Sequence, residues 1–314
     1  MHRIHPAPKR WIATTFALLA LALSVPGYAK VLHEERSVYT RIIVEDERNL
    51  RCLKFTLVRE NSRQTCMDRN NPQRLVFDYA KMTLSALLLK PDPERILIIG
   101  LGGGTLPMAL RDILPSAVID TVEIDEAVVR VAKGFFDFAE DDQNRVYVQD
   151  ARVFGKRAAL RGEQYDLIIL DAFDGEYIPE HLMTVELLSE MRGLLSDDGV
   201  LVANTFASSK LYDYESATYA EAFGGFLNFR LPTSGNRVIL VPQAKLDIDA
   251  RTPLDRKTLR ANADALKAPM APYDMPLKRY VSTLLSLSEQ KPDWNTRIRP
   301  LTDQFSPANV LQSQ

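Results

Sequence analysis

The order of apolar runs between residues 95 and 241 is the feature that most restricts how this chain can fold. Short apolar runs that are typical of buried parallel strands alternate with amphipathic helical segments. The predicted strands are Ile96–Ile99, Ala117–Ile124, Arg145–Val148, Tyr165–Leu170 and Val200–Asn204, with two more near 226–230 and 237–241. The helices between them include Glu126–Phe138, Ala151–Leu160 and Tyr212–Phe223. Strict alternation predicts an α/β fold with a doubly wound parallel sheet.

Residues 1–29 have the pattern of a secretory signal peptide. A basic stretch ends at Arg10, an apolar run covers residues 11–25, and small residues precede a predicted cleavage site after Ala29. The apolar run has about 15 residues, fewer than the roughly 20 that a bilayer span needs. The sequence therefore predicts an exported protein, periplasmic or secreted. A membrane anchor formed by residues 11–25 is the alternative.

Both cysteines, Cys52 and Cys66, lie in a stretch of short predicted strands. Strands near 38–44, 50–58 and 64–67 are typical of an antiparallel β meander. A hairpin that turns near residues 59–60 would place the two cysteines opposite each other, within reach of a disulfide. An oxidising compartment would favour that bond over free thiols. Two cysteines with no nearby pair of histidines are not expected to bind a metal.

The chain divides into four predicted regions. They are the signal peptide (1–29), the N-terminal β meander (30–80), the α/β domain (81–242) and a helical C-terminal tail (243–314). Lys and Arg number 39 against 41 Asp and Glu, and the signal peptide contains basic residues but no acidic ones. The remainder is therefore acidic overall, which argues against nucleic acid or anionic lipid as a partner. A neutral or cationic small molecule fits better.

Glycines and acidic residues that could bind a ligand follow the predicted strands at their carboxyl ends, where ligands bind in a doubly wound sheet. A glycine-rich turn after the first strand leaves the backbone open to a ligand, and Thr105 can cap the helix that follows. The glycines are Gly100, Gly102, Gly103 and Gly104. Glu123 ends the second strand and can accept both hydroxyls of a ribose, whereas Asp125 suits a helix cap better. Asp150, after the third strand, is placed to meet an adenine edge, with helix capping as the alternative. This ordered set predicts a nucleoside site.

Two classes of nucleoside fit that pattern. A nicotinamide dinucleotide would need a third glycine where Thr105 stands, and no Tyr/Lys pair or well-placed His offers an acid for hydride transfer. A sulfonium nucleoside carries no phosphate, so its site depends more on acids for the ribose and the adenine. The sequence favours the sulfonium nucleoside.

Two carboxylates three residues apart, Asp171 and Asp174, follow the fourth strand. Alkyl transfer from a sulfonium to an amine needs a deprotonated amine, and a carboxylate can hold the cation and take its proton. No metal is required, because the leaving group is a neutral thioether. A solvated acidic loop is the alternative. It explains Glu176 and Glu180 better than Asp171, which follows four apolar residues.

The segments Ile98–Gly104, Val122–Asp125 and Tyr165–Asp174, together with Asp150, resemble the polyamine aminopropyltransferases, the spermidine/spermine synthase family. The resemblance covers residues 37–241. It implies a Rossmann-like, methyltransferase-type sheet preceded by a small β meander. It also implies transfer of an aminopropyl group from decarboxylated S-adenosylmethionine to an amine or polyamine, which leaves methylthioadenosine.

The resemblance also assigns roles to individual residues on the nucleoside side. Glu123 would hold the ribose, Asp150 the adenine end, and Gln64 would reach the nucleoside from the N-terminal region. The glycines of the turn complete the implied cofactor-binding set.

On the amine side, Asp174 is the implied proton acceptor and Asp171 the second catalytic carboxylate. Tyr79 and Glu176 are the candidate contacts to the amine. The family pattern has an Asp where Gly103 stands, and its Tyr-His-Glu segment reads here as residues 79–81, with Ala80 in the middle. The amine-binding matches are thus weaker than the nucleoside-binding ones.

Three functions stay open on this basis: an aminopropyltransferase-like enzyme, an S-adenosylmethionine-dependent methyltransferase, or a catalytically idle protein that binds a nucleoside or polyamine. Asp174 favours the first over the third, and Gly103 and Ala80 point the other way. The acceptor and the oligomeric state also stay open, with a homodimer as one candidate. Leu301–Pro307 resembles a segment of membrane-fused members of the wider family, and no role is assigned to it.

Overall fold

The computed structural model describes residues 29–55, 63–173, 178–207, 211–243 and 254–306. Residues 1–28 of the predicted signal peptide lie outside the described residues, and so do Asp174 and Glu176. Among the described residues, no helix is both long enough and apolar enough to cross a membrane.

The N-terminal region forms a four-stranded antiparallel sheet. Its strands are β1 (Lys30–Arg36), β2 (Arg41–Glu47), β3 (Leu50–Phe55) and β4 (Arg63–Asp68). They pair in chain order, so the sheet is a meander. Cys52 in β3 stands directly opposite Cys66 in β4, and the two form a disulfide. The predicted meander and the predicted disulfide are both confirmed.

The second sheet has seven strands. They are β5 (Arg95–Ile99), β6 (Val118–Glu123), β7 (Asn144–Val148), β8 (Tyr165–Leu170), β9 (Leu195–Phe206), β10 (Leu227–Arg230) and β11 (Asn236–Pro242). Their spatial order is β10-β11-β9-β8-β5-β6-β7. The five strands from β9 to β7 are parallel, whereas β11 is antiparallel to both of its neighbours. The predicted doubly wound, Rossmann-like sheet is confirmed.

Helices cover both faces of this sheet. They are α1 (Asp78–Leu84), α2 (Thr105–Ile113), α3 (Glu126–Phe135), α4 (Ala151–Leu160), α5 (Val185–Gly193), α6 (Tyr212–Phe223), α7 (Arg256–Leu266) and α8 (Leu277–Ser288). One face packs against α1, α2, α7 and α8, and the other against α4, α5 and α6. The apolar residues of β5 explain why both faces need cover, since Ile96 and Ile98 point to the first core and Leu97 and Ile99 to the second.

Three details differ from the sequence predictions. Gly104, not Thr105, occupies the N-cap of α2, in a left-handed conformation, and Thr105 is the first helical residue. The helix that begins at Glu126 ends at Phe135, and Asp137 then takes a left-handed conformation with φ of 59°. Strand β9 is longer than predicted and begins directly after α5. Each difference lies at an element end, where local sequence signals are weakest.

The N-terminal sheet packs against α3. Ile42, Val44 and Leu53 of the sheet share a core with Val128 and Val131 of the helix. This packing places Thr65 of β4 beside the glycine-rich turn, where its hydroxyl accepts a hydrogen bond of 3.0 Å from the Gly103 amide. The meander therefore borders any binding site that the glycine-rich turn forms.

Candidate active site

A cleft of about 360 Å³ opens at the carboxyl ends of the parallel strands. It lies where the strand order reverses, between β5 and β8, which is the place where doubly wound sheets bind ligands. Its described lining comes from both sheets: β4 contributes Gln64 and Thr65, and the ends of β5, β6 and β8 contribute most of the rest. The cleft has lining residues from both sheets because the meander packs on α3.

The glycine-rich turn approaches the end of β8 closely. At Gly100, φ is +98°, and a Cβ atom there would lie 2.3 Å from the Asp171 carbonyl oxygen. Only glycine satisfies both conditions without strain. Gly100 and Gly102 line the cleft, as predicted.

Gly103 and Gly104 contact the protein rather than the cleft. A Cβ at Gly103 would lie 2.7 Å from the Thr65 methyl carbon and 3.1 Å from the Phe136 ring. A Cβ at Gly104 would lie 2.6 Å from the Phe138 ring. A larger residue at position 103, such as the Asp of the family pattern, therefore needs these neighbours to move. The sequence predicted that all four glycines bind the cofactor, and of these Gly100 and Gly102 line the cleft while Gly103 and Gly104 pack against neighbouring side chains.

Glu123 ends β6 and lines the cleft, with 9% of its surface exposed. Its two carboxylate oxygens each accept a backbone hydrogen bond of 3.0 Å, one from the Leu101 amide and one from the Asp125 amide. Burial raises the pKa of Glu123, and these amides act in the opposite direction. Each oxygen has a second lone pair, so the carboxylate can still accept ligand hydroxyls.

Asp150 serves as the N-cap of α4. Its Oδ1 accepts from the Val153 amide at 2.9 Å, and its Oδ2 lies 3.3 Å from Nε2 of His181. Asp150 and His181 both line the cleft. Asp125 likewise caps α3 by accepting from Ala127, as predicted. The two interpretations of Asp150, helix cap and cleft acid, are therefore compatible.

Asp171 follows β8, Glu123 ends β6 and Asp150 follows β7, and all three line the cleft. In the strand order β8-β5-β6-β7, Asp171 and Asp150 therefore stand at opposite ends, with Glu123 between them. Asn204 of β9 donates to its Oδ1 at 2.8 Å, and the Tyr79 hydroxyl hydrogen-bonds to the same carboxyl. Burial raises the pKa of Asp171 to about 7, although both hydrogen bonds favour the charged form. Burial and the negative Asp171 raise the pKa of Tyr79 well above its ordinary value, so Tyr79 remains a neutral donor.

The support for Asp171 extends to a second asparagine. Asn236 of β11 donates to the Asn204 side-chain oxygen at 3.0 Å, which fixes the orientation of the Asn204 amide. Asn204 is buried, with 3% of its surface exposed. Sequence reasoning missed Asn204, and it also missed Thr65 and His181. A polar residue near the end of a predicted buried strand was the signal that could have identified Asn204.

Of the residues predicted from the sequence, the cleft brings together Gln64, Tyr79, Gly100, Gly102, Glu123, Asp150 and Asp171. Its described lining contains four acidic residues, which are Glu123, Asp125, Asp150 and Asp171, and no Lys or Arg. No group of three or more His, Cys, Asp or Glu in the described ranges is arranged to hold a metal ion. The site is thus anionic and suits a cationic ligand.

Comparison with known proteins gives consistent matches. The model of the spermine/spermidine synthase domain matches residues 77–233. A polyamine aminopropyltransferase of Vibrio vulnificus is 48% identical over 306 residues, which cover 96% of this chain and 98% of the relative. Among solved structures, a probable spermidine synthase from Corynebacterium glutamicum superimposes with a TM-score of 0.60 at 19% identity, over 85% of this chain and 99% of that one. This likeness concerns the fold.

A methyltransferase is also similar. Human methyltransferase-like protein 13, solved in complex with SAH, superimposes with a TM-score of 0.51 at 26% identity. The superposition covers 62% of this chain and 90% of the methyltransferase chain. The alignment with the Vibrio relative extends over nearly the whole of both chains, including the meander. The family model matches half of the sequence. On these matches, the chain belongs to the spermine/spermidine synthase family.

Proposed function

We propose that the protein is an aminopropyltransferase that moves an aminopropyl group from decarboxylated S-adenosylmethionine to an amine acceptor. The observation that carries this proposal is the charge of the cleft, whose described lining has four carboxylates and no Lys or Arg. Both substrates of such a reaction are cations, one a sulfonium and the other an ammonium. The Vibrio relative, named a polyamine aminopropyltransferase, supports the same reaction.

The nucleoside lies across the glycine-rich turn in this proposal. Glu123 accepts the ribose hydroxyls, and Asp150, with His181 beside it, faces the adenine end. Gln64 and Thr65 close the site from the meander. Because Glu123 is already held by two backbone amides, its position is set before the ligand arrives.

The amine lies at the Asp171 end of the cleft. Its nitrogen attacks the aminopropyl methylene carbon that is bonded to the sulfonium sulfur, so a C–N bond forms while the bond between that carbon and sulfur breaks. The electron pair of that bond goes to sulfur, which leaves as the neutral thioether of methylthioadenosine. Asp174 takes the proton of the attacking nitrogen, and Asp171 holds the positive charge in place, with Tyr79 and Glu176 as further contacts to the amine.

The direct test is a transfer assay with purified protein, decarboxylated S-adenosylmethionine and a panel of di- and triamines, read by mass spectrometry. Equal amounts of aminopropylated amine and methylthioadenosine are expected. S-adenosylmethionine is tested in parallel, and methylated products from it alone would favour the methyltransferase alternative. Nucleoside binding without transfer from either donor would favour the idle binding protein.

The methyltransferase alternative has one specific observation in its favour. Position 103 carries no side chain, and Thr65 and Phe136 occupy the neighbouring space. The carboxylate that the family pattern places at this position is therefore absent here. A donor with a carboxylate on its side chain is less strongly repelled, and the parallel assay with S-adenosylmethionine measures this directly.

We also propose that the protein is exported. The pattern of residues 1–29 and the Cys52–Cys66 disulfide support this, because disulfides persist in oxidising compartments. Non-reducing peptide mapping of protein from its native compartment is expected to find an N-terminus near Lys30 and the bonded cysteine pair. Two free thiols, or soluble cytoplasmic protein with an intact Met1, would contradict export.

A further inference from the structure

The C-terminal segment 301–306, which we call the strap, packs beside residues that border the cleft. It contacts residues 178–184, which we call the pocket wall. Pro179, His181 and Leu182 of the wall line the cleft. In the sequence, the wall directly follows residues 174–177, which include the predicted proton acceptor Asp174.

Asp303 of the strap joins two elements that border the cleft. Its two oxygens accept from Arg152 of α4, Oδ1 at 2.9 Å and Oδ2 at 2.7 Å, and Oδ1 also accepts from the Thr184 hydroxyl at 2.8 Å. The Asp303 amide donates to Glu186 at 3.0 Å. Hydrogen bonds from Arg152 hold the pKa of Asp303 below its usual range, so the carboxyl is ionised at neutral pH.

Arg152 and Thr184, the side-chain partners of Asp303, are close in sequence to residues that line the cleft. Arg152 is the second residue of α4, directly after Asp150 and Ala151, which line the cleft. Thr184 is the last residue of the wall and caps α5 by accepting from the Leu187 amide. A bidentate contact to Arg152 therefore links the start of α4 to the wall, and Glu190 of α5 accepts from the same guanidinium at 3.0 Å.

Leu301 adds an apolar anchor at the same place. It is completely buried and packs with Met183 and Leu211, and Ile178 of the wall lies against this cluster. Its carbonyl oxygen accepts from the Val185 amide at 2.9 Å, immediately after the wall. The strap thus holds both ends of the wall, residue 178 by packing and residue 184 by hydrogen bonding.

We propose that Asp303 is a positioning residue for the nucleoside and that the strap keeps the pocket wall and the start of α4 at the spacing that the bound nucleoside requires. Asp303 does not line the cleft. It acts through Arg152 and Thr184 on residues that do. The inference rests on the proposed function for the identity of the ligand, but its structural part, that Asp303 orders the wall, does not.

The chain offers a matched control in Asp293, which lies earlier in the same C-terminal segment. Asp293 also pairs with an arginine, Arg230, at 2.6 Å, and it accepts from Tyr212 and Asn228. These partners lie in α6 and β10, and none of them is a residue of the wall or of the described lining of the cleft. Asp293→Asn and Asp303→Asn therefore remove the same charge from similar ion pairs, and only the second touches the wall.

The experiment measures hydrogen exchange of the peptide that contains residues 178–184, and binding of methylthioadenosine by calorimetry, in wild type and variants. Asp303→Asn is expected to speed exchange of this peptide and to weaken methylthioadenosine binding about tenfold, since a small displacement of a site wall has effects of this size or larger. Asp293→Asn is expected to change neither. Asp303→Glu keeps the carboxylate and is expected to recover most of the lost affinity.

A milder variant, Arg152→Lys, covers the case in which Asp303→Asn does not fold. It keeps the charge but loses the bidentate geometry, and it is expected to change exchange and affinity in the same direction by a smaller factor. The proposal is overturned if these variants leave exchange of residues 178–184 unchanged, or if Asp293→Asn has effects as large. If wild type binds no nucleoside, the proposed function fails, and the exchange comparison still decides whether Asp303 orders the wall.

Discussion

The end of the cleft where we propose that the nucleoside binds, called here the nucleoside end, and the end where we propose that the amine binds, called the amine end, hold their acids in different ways. At the nucleoside end, Glu123 is bound by the backbone amides of Leu101 and Asp125, which are close to it in the adjoining turns. At the amine end, Asp171 is bound by the side chains of Asn204 and Tyr79, which come from β9 and α1. Burial raises the pKa of both carboxyls.

The two kinds of support differ in how many side-chain substitutions they tolerate. Backbone amides are present whatever the side chains are, so the nucleoside end needs only a Gly-rich turn and an acid at the strand end. The amine end depends on particular side chains on three elements, and it is also where the chain departs most from the family pattern. A substitution therefore reaches the support of Asp171 more easily than that of Glu123.

The largest effect is expected from Asp174→Asn, which removes the proposed proton acceptor. Loss of a positioned general base should lower kcat by about 10²–10⁴, while methylthioadenosine binding changes little, because the nucleoside contacts lie elsewhere. Steady-state kinetics and calorimetry measure the two. Glu176→Gln removes the same charge two residues away and is expected to raise the KM for the amine rather than to lower kcat. Wild-type kcat in Asp174→Asn would show that another group takes the proton.

Glu123→Gln tests the nucleoside end. Loss of charged hydrogen bonds should cost about 1.5–3 kcal/mol of binding free energy, or roughly 10–150-fold in the Kd of methylthioadenosine. The neighbouring Asp125→Ala removes a helix cap and is expected to lower stability more than affinity. Calorimetric titration and thermal unfolding separate the two effects. A Kd within twofold of wild type in Glu123→Gln would place the ribose elsewhere.

The pH dependence of amine binding tests the carboxyl of Asp171, whose pKa is raised to about 7. Below that pH the carboxyl is protonated in the free protein, and a cation binds better to the ionised form. Affinity for a diamine should therefore rise with pH up to about 7, by at most about tenfold per pH unit. A diamine stays dicationic over this range, since alkyl amines titrate near pH 10, so the slope reports on the protein.

The matched variant for this measurement is Asp171→Asn, in which the slope should disappear. The same carboxyl also affects stability. Between about pH 4 and 7 the folded protein retains a proton that the unfolded chain has released, so this group's contribution to stability falls as pH rises through that window. Asp171→Asn is expected to make the unfolding free energy less dependent on pH there. An unchanged slope of affinity would mean that Asp171 does not hold the cation.

A smaller effect is expected from Asn204→Leu. Without the Asn204 donor, the pKa of Asp171 should rise further, and the KM for the amine near neutral pH should increase about fivefold, the value of one hydrogen bond of about 1 kcal/mol. The difference from wild type should shrink at high pH, where Asp171 is ionised in both proteins. Asn236→Ala is expected to show a weaker form of the same pH-dependent change. A KM increase that is equal at all pH values would indicate a packing defect instead.

Most of the fold and of the nucleoside end followed from the sequence by local rules. The bounds of β8, α4 and α6 agree with the predicted ranges residue for residue. Glu123 and Asp150 were found because an acid at the end of a predicted parallel strand must lie at the ligand edge of the sheet. The disulfide followed from hairpin register, since Cys52 and Cys66 occupy opposed positions on adjacent strands.

The sequence alone could not separate the two pairs of glycines in the turn or identify the partners of Asp171. Gly103 has its packing role because Thr65, from another sheet, lies against it, and Asp171 is supported by Asn204, 33 residues further along the chain. Strand and helix periodicity is set by neighbours in sequence, so it can be recognised locally. Contacts between side chains of distant elements depend on how those elements pack, and only the tertiary structure decides which residue faces which.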